Sequence, residues 1–217
     1  MTRERQTLIA GFLSALAALL VFGWLATRMM RGEIEQFDRT VRDAVHSLAS
    51  PLLTSIMRKI TFMGSEMFLV PMGAVVVWRL LAASRRHAAT LFVIAALGGE
   101  TLNQSLKLVF SRPRPEPFFG YALPSSYSFP SGHALVSACY FGAMAAIVTR
   151  RMKNRAGKAA IWAVSGVMVF LIGTSRVYLG VHHPSDVIAG FSGAIVWVAA
   201  VAAGYGYWLR RRRNAVG

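Results

Sequence analysis

Acidic residues are scarce in this sequence: Asp and Glu number 9, against 24 Lys and Arg, in 217 residues. Charged residues of both signs make up 15% of the chain, where a soluble domain carries about 25%. Apolar residues make up 55%, and mean hydropathy is +0.48. That shortage of charge, with apolar runs of near-spanning length, excludes a water-soluble globule, and the apolar fraction excludes intrinsic disorder. A single cysteine, Cys139, excludes an intrachain disulfide; inside an apolar run it reads as a small core residue and leaves the redox compartment open. Internal repeats, low-complexity tracts and domain linkers are also lacking, and the length suits one domain over residues 1–217.

What is present is a series of six apolar runs of about 20 residues, the length that crosses a bilayer as helix. They cover roughly 7–27, 60–81, 88–110, 133–149, 159–177 and 187–209. The first is too long for a signal peptide and lacks a small-x-small cleavage site, so it reads as a membrane helix. The fourth and fifth are short, compatible with a site slightly below the membrane surface. The expected fold class is all-α: an integral-membrane bundle of six transmembrane helices.

A net charge of +15 and a pI near 11.3 would suggest nucleic acid in a soluble chain. Here the placement of the charges gives another meaning. The N-terminus, the 79–87 turn, the 150–158 loop and the C-terminus fall on one side. They hold fourteen basic residues, among them Arg3, Arg5, Arg79, Arg85, Arg86, Arg150, Arg151 and the run 210–213, against one acid, Glu4. The other ten basic and eight acidic residues lie on, or open toward, the opposite side. This asymmetry puts both termini in the cytoplasm and makes the run 210–213 an anchor to anionic lipid. No nucleic-acid partner is expected.

Between the first two spans, residues 33–59 follow a different pattern. Ile34, Phe37, Val41, Val45 and Leu48 recur at three and four residues, with Asp38, Arg39, Arg42 and Asp43 between them. That period predicts an amphipathic surface helix, ended or bent at Pro51. A helix packed on the bundle and a cover that admits substrate fit it equally.

Charges inside apolar spans are costly and are functional candidates by default. Three clusters stand out: Lys107-x6-Arg114-Pro115, then Ser128-Phe129-Pro130-Ser131-Gly132-His133, then Ser175-Arg176-x5-His182-x3-Asp186. All three fall at the outward end of their helices. Lys107, Arg114 and Arg176 bring fixed positive charge toward one point, which suits a phosphate group. Ser131 and Gly132 precede the fourth span, where unhindered N–H groups and the helix dipole favour an anion. Asp186, four residues after His182, can hold one ring nitrogen and leave the other free to attack. His133 can protonate a leaving alkoxide and then deprotonate water. His182, His183 and Asp186 form a conceivable metal set, but three crowding cations make a divalent metal unwelcome, so no metal or cofactor is expected.

Together the three clusters resemble the three-part signature of the type-2 phosphatidic acid phosphatase superfamily, in order over residues 107–186. The six-span plan is similar to its integral-membrane lipid phosphatases; vanadium haloperoxidases share the signature but are soluble. The resemblance implies a phosphohistidine mechanism without metal, with His182 as nucleophile, Asp186 its orienting partner and His133 the general acid/base. Lys107, Arg114, Ser131, Gly132 and Arg176 would bind the phosphate. It implies a lipid phosphate or pyrophosphate as substrate, such as phosphatidylglycerophosphate, undecaprenyl pyrophosphate or phosphatidic acid. The location would be the cytoplasmic (inner) membrane, with the site facing the periplasm or exterior. Two alternatives stand: a phosphotransferase with an acceptor other than water, and a non-catalytic headgroup binder.

Other polar residues get smaller roles. Arg112 lies outside the signature spacing and reads as a solvated or lipid-facing charge. Glu100 shares a helical face with Gln104 and Lys107 and reads as structural, while Glu66 is placed to line a lipid entrance. His183 suits packing or substrate contact equally, and His46 and His87 lie off the site. Phe118, Phe119, Tyr121, Tyr127 and Phe129 suggest an interfacial aromatic rim.

Overall fold

The computed structural model describes the backbone of residues 3–214 and the side chains of residues 9–212. The part of the charge count that rests on Arg3, Glu4, Arg5 and Arg213 lies outside those side chains. Among the described residues there are eight helices and no strand. They are α1 (Arg3–Met30), α2 (Glu35–His46), α3 (Pro51–Phe62), α4 (Glu66–Ala82), α5 (Arg86–Phe110), α6 (Gly132–Thr149), α7 (Arg155–Tyr178) and α8 (Pro184–Asn214).

Helix α6 is the axis of the bundle, packed against α5, α7 and α8, with α1 on α8, α3 on α7 and α4 on α5. Half of its eight buried side chains are Ala, Ser or Cys (Ala134, Ser137, Cys139 and Ala145), which lets neighbouring backbones approach closely there, as membrane helices do in the absence of a hydrophobic driving force between them. At Gly190 a Cβ would stand 2.8 Å from the Ser131 carbonyl oxygen, which is how α8 comes against the start of α6. Large apolar side chains point outward instead: Phe12, Leu20 and Trp24 on α1, Met67 and Trp78 on α4, Val164 and Phe170 on α7.

Among the described residues four helices are long and apolar enough to cross a membrane: Ile9–Met30, Gly132–Thr149, Arg155–Tyr178 and Pro184–Arg212. Helices α3 and α4 make a fifth if taken as one span bent by 45°. The expected run 60–81 is therefore broken, at residues 63–65, where a Cβ on Gly64 would stand 2.4 Å from Ile172. Helix α5 has the length, 25 residues, but Glu100, Asn103, Gln104 and Lys107 make it too polar to qualify by composition. The fifth expected span is not short, since α7 has 24 residues.

The amphipathic segment also differs from its expected form. It is two helices, and Pro51 opens the second, where its missing N–H is harmless and the Ser50 hydroxyl accepts from Leu53 N–H at 3.2 Å. Ile34 and Val45 pack inward on separate clusters, while Phe37 and Leu48 are exposed. The buried residue of α2 is an acid, Asp38, which the period assigns to the polar face.

The turn after α7 sets where the histidine loop begins. Gly180 has φ +75°, and a Cβ there would stand 2.6 Å from the Phe118 backbone nitrogen, so neither conformation nor space admits a side chain. Gly180→Ala is expected to destabilise the protein by about 1–3 kcal/mol, read as a lower Tm in detergent. An unchanged Tm would contradict this packing.

Candidate active site

Four chain segments meet at one end of the bundle: the C-terminal ends of α5 and α7 with the residues that follow them, and the N-terminal ends of α6 and α8. Backbone bonds lock them: Ser128 N–H donates to Arg112 O at 2.9 Å, Ser131 N–H to Asp186 O at 3.0 Å, and Phe118 N–H to Leu179 O at 2.9 Å. The three sequence clusters, far apart in the chain, are thereby brought onto one cavity.

His182 is buried at its centre. Its Nδ1 stands 3.4 Å from Asp186 Oδ2, and its Nε2 stands 2.9 Å from Arg114 Nη1. A guanidinium only donates, so Nε2 carries the lone pair and Nδ1 the proton. Burial pushes the imidazole down to about 3, outweighing the Asp186 carboxylate that favours its charged form, and the ring is neutral at physiological pH.

Three cations, Arg114 at Nε2 and Lys107 and Arg176 on the same cavity, are bonded only to neutral groups. The Lys107 ammonium donates to the Tyr127 carbonyl. Arg114 donates to Ser126 O at 2.7 Å and to Val181 O at 2.8 Å. Burial, then the neighbouring Arg176, pushes its guanidinium down to about 10. Arg176 is buried, donates to Thr61 Oγ1 at 2.7 Å and leaves Nε without a partner. Among the described residues none of the three pairs with a carboxylate. Buried charge without a counter-ion is unfavourable, so the cluster is made for an anion that comes from outside the chain.

Ser131 caps α6 without a side-chain bond to it, and its buried hydroxyl has no partner. The first N–H groups of α6 have no acceptor within the helix, and they open beside these cations. Gly132 has no side chain to crowd them; a Cβ there would stand 2.9 Å from Asn103 Nδ2. His133 lines the same cavity as His182, Lys107, Arg114 and Arg176. The cavity, about 610 Å³, continues from this charged end between apolar walls that include Leu69, Val70, Phe92, Leu97 and Val136. A small anion with a long apolar tail matches both ends. Glu66 and Glu100 also line it, with Glu100 accepting from Gln104 at 2.5 Å.

All eight expected site residues therefore stand together, but other expectations need correcting. Arg112 is neither solvated nor lipid-facing: it is buried and pairs with Asp38 at 2.8 Å and Asp186 at 2.6 Å. Phe129 is not part of a rim; it is fully buried against Phe22 and Phe110. Phe118 stacks on His46 and Phe119 on Tyr178. His183 lines a separate cleft with Arg39 and Arg42, and His87 packs on Trp208. Ser128, which opens the second cluster but had no role assigned to it, donates its hydroxyl to Asp186 Oδ2 at 2.5 Å; Thr61 was missed, and nothing in the sequence marks it. Among the described residues no group of three or more His, Cys, Asp or Glu is placed to hold a metal ion.

Comparison with known proteins gives a consistent picture. The model of the PAP2 superfamily matches residues 87–210. Phosphatidylglycerophosphatase B of Bacillus subtilis is 30% identical over 174 residues, covering 80% of this chain and 85% of that protein. The crystal structure of a transmembrane PAP2-type phosphatidylglycerolphosphate phosphatase from Bacillus subtilis superposes with a TM-score of 0.82 at 28% identity, covering 89% of this chain and 96% of that one. An undecaprenyl-diphosphatase of Sulfolobus acidocaldarius is 33% identical over 147 residues, 64% of each chain.

Unpaired cations that await an anion should be stabilised by one. Inorganic phosphate at ten times its Kd is expected to add about 1.4 kcal/mol of stability and raise Tm in detergent, and Arg114→Gln to abolish most of that rise. A wild-type Tm that ignores phosphate would contradict the reading of this cluster.

Proposed function

The chain belongs to the PAP2 superfamily and is a membrane lipid phosphatase, and we propose that it works through a phosphohistidine on His182, without metal. The observation that carries this is a neutral histidine whose Nε2 keeps the lone pair and accepts from Arg114, at the charged end of an apolar cavity that Lys107 and Arg176 also line, none of the three cations pairing with a carboxylate among the described residues.

In this reading the lipid tail lies along the apolar walls and the phosphate sits among Lys107, Arg114 and Arg176, the Ser131 hydroxyl and the Gly132 N–H. Nε2 attacks phosphorus in line with the leaving group. The P–N bond forms as the P–O bond to the lipid breaks, and His133 gives the departing oxygen its proton. Asp186 stabilises the positive charge that the ring acquires, and the cations stabilise the equatorial oxygens. His133, now neutral, takes a proton from water; the hydroxyl attacks phosphorus, the P–N bond breaks, and inorganic phosphate leaves. Phosphatidylglycerophosphate is the substrate favoured by the likeness to the Bacillus subtilis enzymes. Undecaprenyl diphosphate and phosphatidic acid are the comparisons to run beside it.

Helix α5 is the sixth span in this reading, because it packs among α4, α6 and α8 and turns its polar residues to the cavity. The basic loops lie in the cytoplasm and the site on the other face of the cytoplasmic membrane, as the charge asymmetry supports. Helix α2 lies along the membrane at that face.

Purified protein in detergent with EDTA is expected to release phosphate from these lipids, and His182→Ala to lower kcat by about 10⁴-fold or more. Near-normal turnover by His182→Ala would falsify the mechanism. Because the His182 pKa is lowered to about 3, its neutral form persists as pH falls. With p-nitrophenyl phosphate, and after correction for substrate ionisation, kcat/KM should not show the roughly tenfold fall between pH 7.5 and 5.5 that an ordinary histidine nucleophile, pKa about 6.5, would impose.

A further inference from the structure

The buried acid of α2 has no part in the reaction as described, yet it is bound into the site. Asp38 is 1% exposed. Its Oδ1 accepts from the Ser185 backbone N–H at 2.8 Å, and its Oδ2 from the Ser185 hydroxyl at 2.6 Å. That N–H is one of the first in α8 and has no acceptor within the helix, so a carboxylate from another helix serves as its cap. Asp38 Oδ2 also accepts from Arg112 Nη2 at 2.8 Å.

Arg112 then reaches one residue further along α8. Its Nη1 donates to Ser185 Oγ at 2.9 Å and to Asp186 Oδ1 at 2.6 Å. One guanidinium thus bridges two carboxylates that are shut off from solvent. With Oδ1 held by Arg112, Asp186 turns Oδ2 toward the Ser128 hydroxyl, the His183 N–H at 2.9 Å and His182 Nδ1. The contact with His182 is long, 3.4 Å, so His182 does not set the plane of the carboxylate; the short bonds from Arg112 and Ser128 do. Arg112 is absent from the cavity lining, and acids already occupy it, which separates it from the three cations that face the cavity.

We propose that Arg112 is a positioning residue, which keeps Asp186 aimed at His182 Nδ1, and that α2 is part of the catalytic apparatus because Asp38 anchors Arg112 and caps α8. This rests on the reading of His182 as the nucleophile. Asp38 and Arg112 are expected to act as one unit, and their loss to weaken orientation of the nucleophile without disturbing phosphate capture.

The test compares wild type with Arg112→Gln, Arg112→Lys, Asp38→Asn and the Asp38→Asn/Arg112→Gln double variant, each purified in detergent. Lipid turnover and the phosphate-induced Tm shift are measured side by side. Arg112→Gln and Asp38→Asn should each lower kcat by about 10–100-fold, with KM and the phosphate-induced Tm shift kept within about threefold of wild type. Arg112→Lys should recover part of kcat by restoring the charge. The double variant should be no slower than Arg112→Gln alone, because coupled losses do not add. Near-wild-type kcat in Arg112→Gln, loss of the phosphate-induced shift in step with kcat, or additive losses in the double variant would each overturn the proposal. If Arg112→Gln does not fold, Arg112→Lys and Asp38→Asn decide it by the same criteria. Wild type without His182-dependent turnover would overturn the underlying mechanism, and this inference with it; wild type active, His182→Ala dead and Arg112→Gln unimpaired would overturn this inference alone.

Discussion

A surplus of buried positive charge is the constraint on which the rest of the structure depends. Lys107, Arg114 and Arg176 converge on a cavity, and among the described residues no carboxylate is bonded to any of them. Such an arrangement repels itself and is tolerated only where the surrounding packing imposes it. Each cation is accordingly fixed by neutral acceptors: a carbonyl for Lys107, two carbonyls for Arg114 and the Thr61 hydroxyl for Arg176. These hold direction without cancelling charge. Asp38 and Asp186 both pair with Arg112, and Glu66 and Glu100, which line the same cavity, form no ion pair with the cluster among the described residues. The molecule therefore sorts its arginines into one that is satisfied internally and others left for the ligand.

The bundle serves this arrangement. Small residues on α6 and the bare backbone at Gly190 let α8 approach until the Asp186 carbonyl accepts from Ser131 N–H. The start of α6, with its unbonded N–H groups, is thereby fixed beside the histidine loop. Helix α5 gives up apolar character along one face to line the cavity, and α4 leans against it loosely enough to leave a path between apolar walls. The charged end and the apolar walls belong to one space, which is what separates a lipid phosphatase from a site for soluble phosphate esters.

Much of this was legible in the chain itself. The boundaries of α5, α6, α7 and α8 follow the apolar runs to within a few residues, and the three clusters marked by their spacing are the ones the fold brings together at one end of the bundle. Where the reading failed, the cause was three-dimensional. Asp38 and Arg112 each look like exposed charges in their own segments; only their pairing, 74 residues apart in the chain, makes burial favourable. Phe129 looks like an interfacial aromatic until Phe22 and Phe110 close around it. The break between α3 and α4 lies within an apolar run that hydropathy alone reads as continuous. At the break Gly64 lies so close to Ile172 that a Cβ would not fit, a closeness that leaves no compositional mark beyond a glycine.

The most direct measurement is of the covalent intermediate. Phosphatidylglycerophosphate with a radiolabelled terminal phosphate is mixed with the protein in detergent, quenched in alkali during turnover, and digested for peptide mapping. The label is expected on the peptide that carries His182, stable in alkali and lost in mild acid, and absent from His182→Ala. Label on any other residue, or label-free protein quenched in the middle of rapid turnover under conditions that preserve phosphohistidine, would contradict the assignment of His182 Nε2 as the nucleophile.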